Sequence, residues 1–587
     1  MYKPKTLKDI IERNAELFGD KIAVQYRHKS REIIKTYSQL KTDIMSLSIY
    51  TKEMRVGILG ENSYDWVMVF CAVIVSNGII VPIDTEVSEN QLVNIILDLK
   101  LDILMIGHDC YDKVKQIIKN KGIEIKLIEI NQEEHIEIDS NSDIFSNNTD
   151  DDKIKNACLI YYTSGTTGTS KGVMLGNKQL ISNCIAEHEA LKFPERQCGL
   201  NVLPFHHGYA VMCDIIYTFY IGGILCISAG LRHFIKELYD YQPAHLFVVP
   251  LIAESLLKII KGENNINNKV NINDFLKVIA CGGAMTRPGL ANEYALLGIN
   301  FIRGYGITEC SPIISIMYSD RVYDDLSVGT PISCNKVEII DEEIYVKGDN
   351  VMIGYYNNEV STKEILKDGW LKTGDLGYIN EKGDLYIVGR KKNLIILDNG
   401  ENIVPEDIEK IIEENDFIIE SLVFENRNIN QKAHISIIVV IDLTEKNCNA
   451  KLQYIIDEFN RRVPLYKHIH KTYARSIPFE RTSTKKIKRE AVLRKLLFEE
   501  ISLSINSLIN TVNYIKTEVK GDMKFIEDLG MDSVEIMRLV SLIEEKMNIN
   551  LSNKDIFKLQ NVNDLIQFII NKYVIVSNNG ITWRHSN

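Results

Sequence analysis

Several familiar signatures are missing from this 587-residue sequence, and each absence narrows what the chain can be. Its eleven cysteines run from Cys71 to Cys448 without a CxxC pair or a framework spacing. That excludes a disulfide scaffold and a structural zinc module, and reduced thiols in the cytoplasm are expected. The first 21 residues, MYKPKTLKDIIERNAELFGDK, scatter charges through their apolar positions and hold no uninterrupted apolar core, so they are not a signal peptide. No long hydrophobic run is unbroken either. Trp66 to Ile83 is interrupted by Gly78 and Pro82, and Tyr209 to Leu231 by Asp214, Gly222 and Gly223. Buried helix and strand are expected there rather than a membrane span. Positive charge is not in excess: 68 Lys and Arg face 79 Asp and Glu, for a net charge of −11. A dedicated nucleic-acid binder is therefore disfavoured. No internal repeat is present.

What is there is the composition of a large globular protein, 45% hydrophobic and 25% charged. At roughly 150 residues per domain the length suggests three or four domains. From Arg55 onward, short apolar runs (RVGILG, IIVPID, DILMIG) alternate with helix-length segments (DWVMVFCAVIVSNG, ENQLVNIILDLK), the pattern of α/β architecture with parallel strands. A polar stretch from Asn131 to Lys153 reads as a surface loop. Composition shifts after Val388, where GRKKNLIILDNGEN resembles a loop between subdomains. Between Arg461 and Lys495 stand twelve Lys and Arg against two Asp and Glu, and a helical, mildly acidic segment follows from about 500 to 573.

Chemistry concentrates first in Tyr162–Gly168, YTSGTTG, with Lys171 and Gly172 behind it. Glycines let backbone N–H groups approach an anion closely, while Ser164, Thr166 and Thr167 add donors and Lys171 adds charge. The spacing is not that of a Walker A loop, which needs GxxxxGK followed by Ser or Thr. Alone, such a segment is a plain loop more often than a nucleotide site.

Read with later clusters, it gains meaning. YTSGTTGTSKG at 162–172, LPFHHG at 203–208, RGYGITECSP at 303–312, WLKTGDLG at 370–377, GRKKNLI at 389–395, GENIVPEDIE at 400–409 and ERTSTKKIKR at 480–489 follow in order. Over residues 5 to 498 the chain resembles the adenylate-forming superfamily of acyl-CoA synthetases, peptide-synthetase adenylation domains and luciferases. That resemblance implies an adenylation N-terminal domain over 1–390 and a mobile α+β C-terminal subdomain over 391–498. It also implies that ATP is held by Thr163, Ser164, Gly165, Thr166, Thr167, Gly168 and Lys171, by Gly304, Tyr305, Gly306 and Thr308, and by Asp375 and Arg390. Thr308 would meet the α-phosphate and Asp375 the ribose hydroxyls, as an ionised carboxylate can. Arg390 would bring a permanently charged fork of donors. Glu309, with Thr166, would hold Mg²⁺, a cation suited to oxygen ligands.

The same resemblance makes Lys486 the adenylation lysine, Lys392 the hinge, and His207 the histidine beside the acyl site. The chain departs from pattern at two positions: Lys485 stands where the family usually has Gly, and Ser170 where it usually has Pro. The adjacent histidines His206 and His207, like His468 and His470, have no Cys or carboxylate at useful spacing, which speaks against zinc. PFHHGYA carries no Asp for a substrate ammonium group, which favours fatty, aryl or other simple acids over α-amino acids.

Residues 526–547, IEDLGMDSVEIMRLVSLIEEKM, place Ile536, Val540, Ile543 and Met547 at helical spacing. Ser533 could itself cap this helix. Asp532 with Glu535, however, supplies a capping box of its own, leaving the Ser533 hydroxyl exposed in the first turn. The segment resembles an acyl carrier protein, which implies an all-α four-helix carrier domain over 500–573 with 4′-phosphopantetheine on Ser533, and a tail over 574–587. Glu535, Glu544 and Glu545 offer charge complementary to the basic stretch, as docking surfaces do.

The expectation is an acid–thiol ligase that uses ATP and Mg²⁺ to make an acyl-AMP from a small carboxylic acid and loads it on its own carrier. Its partners would be a phosphopantetheinyl transferase and downstream acyl-accepting enzymes such as a polyketide or peptide synthase. Two alternatives stay open: a ligase for free CoA with an accessory carrier, and a non-catalytic module that only presents the carrier. No nucleic acid and no membrane span is expected.

Overall fold

The computed structural model describes residues 2–28, 31–130, 154, 156–163, 171–263, 271–397, 401–427, 433–442, 447–482, 486–513, 519–551 and 560–583. The chain forms two compact units, one of residues 1–373 with 377–387, the other of 374–376 with 388–482 and 486–587.

The first unit has the expected α/β layering. A seven-stranded sheet runs in the spatial order Gly354–Tyr355, Lys171–Leu175, Leu159–Thr163, Ile79–Ile83, Arg55–Leu59, Ile103–Gly107, Lys126–Ile130. Its last five strands pair parallel, and its first three pair antiparallel. Arg55–Leu59, Ile79–Ile83 and Ile103–Gly107 are buried at every residue, as in a parallel sheet covered on both faces. Helix Tyr64–Val75 starts from the Ser63 cap and is buried from Tyr64 through Ile74, so an apolar sequence without amphipathic pattern becomes a core helix. The first broken hydrophobic run is thus a helix, a turn and a strand. The second is Gly208–Ala210, a π-helical stretch Val211–Tyr217, helix Thr218–Tyr220 and strand Ile224–Ile227. Among the described residues no helix is long and apolar enough to cross a membrane. A nine-stranded sheet carries Asn300–Gly306 near one end, and a smaller sheet carries Trp370–Ile379.

The second unit is built on a five-stranded sheet in the order Ile469–Arg475, Ala433–Ile441, Ile418–Arg427, Gly580–Trp583, Val574–Val576. Helices Pro405–Ile412 and Cys448–Arg462 belong to it, as do Ser533–Met547 and Val562–Tyr573 of the carrier region. Between these stands a 25-residue helix, Arg489–Asn513. The boundary expected at 498–500 falls inside this helix, whose buried positions continue from Val492 and Leu493 to Ile509 and Val512. An unbroken apolar stripe, with no Gly or Pro to interrupt it, keeps the helix going. The stretch expected as a tail holds the strands Val574–Val576 and Gly580–Trp583, because alternate side chains Val574, Val576 and Ile581 find an apolar core.

Candidate functional site

In the first unit, Thr163 ends strand Leu159–Thr163 and pairs with Lys171, which opens the neighbouring strand. The loop joining them is the expected phosphate grip; Ser164, Gly165, Thr166, Thr167, Gly168 and Ser170 lie outside the described residues. Lys171 places its Nζ 5.1 Å from the centre of the Tyr355 ring, within cation–π range. The Tyr355 hydroxyl donates to Glu309 Oε1 at 2.8 Å. Burial, then the Glu309 charge, pushes the Tyr355 phenol well above its ordinary pKa, so it stays a donor. One phenol therefore links the lysine of the phosphate loop to the carboxylate expected to bind metal. Tyr355 was not anticipated: it lies 46 residues from Glu309 and outside every motif, and strand pairing of Tyr355 with Val173 brings it in.

Thr308, Glu309 and Cys310 form a short 3₁₀ turn after strand Asn300–Gly306. Gly304, Tyr305 and Gly306 pair with Ile316, Ser315 and Ile313 on the adjacent strand. A side chain at Gly306 would put its Cβ 2.1 Å from the Pro312 carbonyl oxygen, so only glycine fits beside the turn. A small cavity is lined by Tyr161, Gly208, Val211, Met212, Thr308 and Ser311. It joins the phosphate-side threonine to the PFHHG segment.

His207 precedes helix Gly208–Ala210, and its ring centre lies 4.3 Å from that of His206. The sequence offered these histidines no carboxylate, but the fold supplies Asp84. Its Oδ1 lies 3.5 Å from His206 Nε2, and ligand atoms of Asp84, His206 and His207 lie within 4.8 Å of one another. Linear spacing could not show this, because Asp84 stands at the end of strand Ile79–Ile83. Burial lowers the His206 pKa, against the opposing charge of Asp84, keeping the imidazole neutral. Farther along, Asp214 accepts from Asn201 Nδ2 at 2.7 Å. Burial pushes the Asp214 carboxyl well above the usual carboxylate range and raises Glu187 to about 8.

The second unit gathers positive charge. Arg390 Nε meets Asp375 Oδ1 at 2.8 Å, with Asp375 only 2% exposed. The carboxylate keeps acceptor capacity for further donors. Lys392, in the turn Lys391–Asn393, is brought down to about 8, first by desolvation and then by Arg390, with Lys486 adding to it and Asp375 and Glu406 opposing. Lys486 is exposed; its N–H donates to Thr482 Oγ1 at 3.1 Å and its carbonyl accepts from Thr482 N at 2.8 Å. Lys485 lies outside the described residues.

At Ser533 the capping alternatives are decided. Asp532 is the cap: its Oδ1 accepts from the N–H groups of Val534 and Glu535, both at 2.8 Å, and Glu535 Oε2 accepts from Asp532 N at 3.0 Å. Ser533 is the exposed first residue of its helix, with Val534 at 76% exposure beside it. The hydroxyl is left over from capping and open to modification, which fits a covalent arm. Of the three glutamates expected to dock, Glu535 also closes the capping box of its own helix, and Glu544 Oε1 accepts from Leu551 N at 2.7 Å.

The chain matches the model of the AMP-binding enzyme over residues 11–356, its C-terminal domain over 392–510, and the phosphopantetheine attachment site over 505–569. A long-chain-fatty-acid–CoA ligase of Bacillus subtilis is 26% identical over 84% of this chain and 95% of that protein. The ligase of the same name from Salmonella typhimurium is 30% identical over 43% of this chain, and the match spans about half, 47%, of the relative. Among solved structures, McyG A-PCP complexed with phenylalanyl-adenylate has a TM-score of 0.67 at 18% identity, covering 97% of this chain and 99% of that one. ATP-bound MatB from Rhodopseudomonas palustris reaches 0.70 at 21%, covering 84% and 99%. These likenesses establish a shared fold. With the family match spanning more than half its length, the chain belongs to the AMP-binding enzymes and carries a phosphopantetheine attachment domain behind them.

Proposed function

We propose that the protein is an AMP-forming acid–thiol ligase that activates a fatty, aryl or other non-amino carboxylic acid and passes the acyl group to a thiol borne on Ser533. The observation that carries this reading is the linkage of Lys171, Tyr355 and Glu309, in a chain that also presents an exposed, uncapped Ser533.

In the first half-reaction the acid's carboxylate oxygen attacks the α-phosphorus of ATP, the bond to the β-phosphate breaks, and pyrophosphate leaves with its electron pair. The barrier is the meeting of two anions, so positioned cations and donors supply most of the help. Glu309 would hold Mg²⁺, which would neutralise phosphate charge, and the Tyr355 hydroxyl keeps that carboxylate in one orientation. Lys171 stands ready for a phosphate oxygen. Asp375, steadied by Arg390, receives the ribose hydroxyls, and Lys486 brings its ammonium group to the α-phosphate. Phosphopantetheine on Ser533 would supply a thiol, so that the acyl carbon exchanges its bond to AMP oxygen for one to sulfur while AMP leaves.

The acid class follows from charge. PFHHGYA, whose Gly208 lines the small cavity, carries no carboxylate to meet a substrate ammonium group. Two relatives named as long-chain-fatty-acid–CoA ligases point the same way and favour free CoA as a second acceptor. The eleven free cysteines fit a cytoplasmic setting. The partners in this reading are a phosphopantetheinyl transferase, which installs the arm, and a downstream acyl-accepting synthase.

The test is acid-dependent ATP–pyrophosphate exchange with a panel of fatty, aryl and α-amino acids, with Mg²⁺ and with a chelator. Exchange with simple acids that stops on chelation is expected. A folded, Mg²⁺-supplied sample that exchanges with none would leave only the carrier-presenting role.

A further inference from the structure

A carrier that hunts for its partners needs a loose tether, because a flexible linker sets the volume its end explores. Among the described residues this carrier shows none at either end. On its N-terminal side, helix Arg489–Asn513 runs unbroken for about 37 Å at 1.5 Å per residue. Arg489, at its start, forms a buried ion pair with Glu409 at 2.8 Å. Asn513, at its end, donates to the Leu529 carbonyl at 2.5 Å, four residues before Ser533.

On its C-terminal side the chain returns. Helix Val562–Tyr573 passes directly into Val574–Val576, and Gly580–Trp583 pairs parallel with the central strand of the subdomain, Glu425 opposite Gly580 and Arg427 opposite Thr582. The turn is fixed as well: Glu425 N donates to Asn579 O at 2.7 Å, Arg489 Nε to Asn578 O at 3.1 Å, and Asn579 Nδ2 to the Leu394 carbonyl at 3.2 Å. A Cβ at Gly580 would lie 2.2 Å from Glu425 O, so the pairing demands glycine there. Phe424 and Ile438 of the sheet, Leu493 of the long helix, Ile543 and Ile569 of the carrier and Ile581 of the hairpin lie in one hydrophobic core.

We propose that residues 574–583 are a clasp that makes the carrier one body with the 388–482 subdomain, so that Ser533 has no travel of its own. Its direction is fixed too. The Asn513–Leu529 bond ties the start of helix Ser533–Met547 to the far end of the long helix. The Tyr573 hydroxyl, donating to the Asn550 carbonyl, ties the other end to the root of the clasp. Ser533 is thereby held at the pole away from the subdomain's sheet, while Lys486 stands three residues before the near end of the long helix. Given the ligase reading above, on which this consequence rests, any movement of the unit displaces Lys486 and Ser533 together. Seating of the adenylation lysine and presentation of the thiol then become two positions of one rigid unit rather than independent movements.

The experiment compares the full chain with Gly580→Val. In the wild type, methyl relaxation in the carrier should report the same tumbling as methyls of the 418–441 strands, and the amides of Glu425 and Ile581 should exchange slowly. In Gly580→Val those amides should exchange at least 100-fold faster and the carrier should tumble faster, with phosphopantetheinyl transfer onto Ser533 at the wild-type rate. Acyl loading of the arm should fall at least tenfold while pyrophosphate exchange is unchanged. Independent tumbling of the wild-type carrier would overturn the clasp whether or not the variant folds, as would undiminished loading in a variant whose carrier is released. Absent pyrophosphate exchange in the wild type would sink the ligase reading instead, leaving tumbling and amide exchange to judge the clasp.

Discussion

The two units arrange their charged groups in opposite ways. In the first, Lys171 and Glu309 are balanced, and the Tyr355 ring and hydroxyl stand between them as a neutral bridge. In the second, Arg390, Lys392 and Lys486 share a region whose buried carboxylate is Asp375, and their repulsion helps bring Lys392 down to about 8. The first pairs its opposite charges; the second holds like charges together, a repulsion that a bound anion would relieve.

The largest effect should come from breaking the bridge. Tyr355→Phe keeps the ring under Lys171 but removes the donor to Glu309, and a hydrogen bond to a charged group is worth about 1.5–3 kcal/mol. Pyrophosphate exchange should fall about tenfold or more, and the Mg²⁺ concentration for half-maximal rate should rise. An unchanged Mg²⁺ dependence would show the bridge to be structural only. A smaller effect should sharpen the other side of the contrast. Because the folded pKa of Lys392 lies below its unfolded value of 10.5, the unfolded chain holds the extra proton between about pH 8 and 10.5. Stability therefore rises with pH across that window, and below pH 8 the charged lysine is penalised in full. Lys392→Met should raise Tm at pH 7, with a gain that fades above pH 8 and is gone near pH 10.5. Its size should be about 1 °C, under the ~2–4 °C that 1 kcal/mol gives a domain of this size, because the side chain reaches water. Added ATP should shrink the gain; a gain independent of pH would contradict the repulsion.

How far the sequence could be read depended on the distance over which each feature is built. The cap at Asp532 and the exposed Ser533 are settled within four consecutive residues, so the reading of the residues and the structure agree in detail. The buried positions Val540, Ile543 and Met547 were legible from their spacing. Tyr355 and Asp84 were not, since strand pairing alone brings them to Glu309 and His206. Two broken hydrophobic runs resolved as core: Gly78, Gly222 and Gly223 fall between elements, while Pro82 lies within strand Ile79–Ile83 and Asp214 within the π-helical stretch Val211–Tyr217. The clasp was missed because VIVSNNGITW is too short to declare two strands unless a sheet edge awaits it, and Gly580 reveals its role only against Glu425. Glu535 and Glu544, read for their charge, also accept backbone hydrogen bonds, a local use that a charge count does not show.

The central claim, activation and self-loading within one chain, is tested most directly by intact-protein mass spectrometry. The protein is treated with a phosphopantetheinyl transferase and CoA, freed of CoA, and given MgATP with a fatty or aryl acid. The wild type should gain the mass of the arm and then of the acyl group. Lys486→Ala should gain the arm but be acylated far more slowly, and Ser533→Ala should gain neither. Acylation that persists in Ser533→Ala would contradict the account.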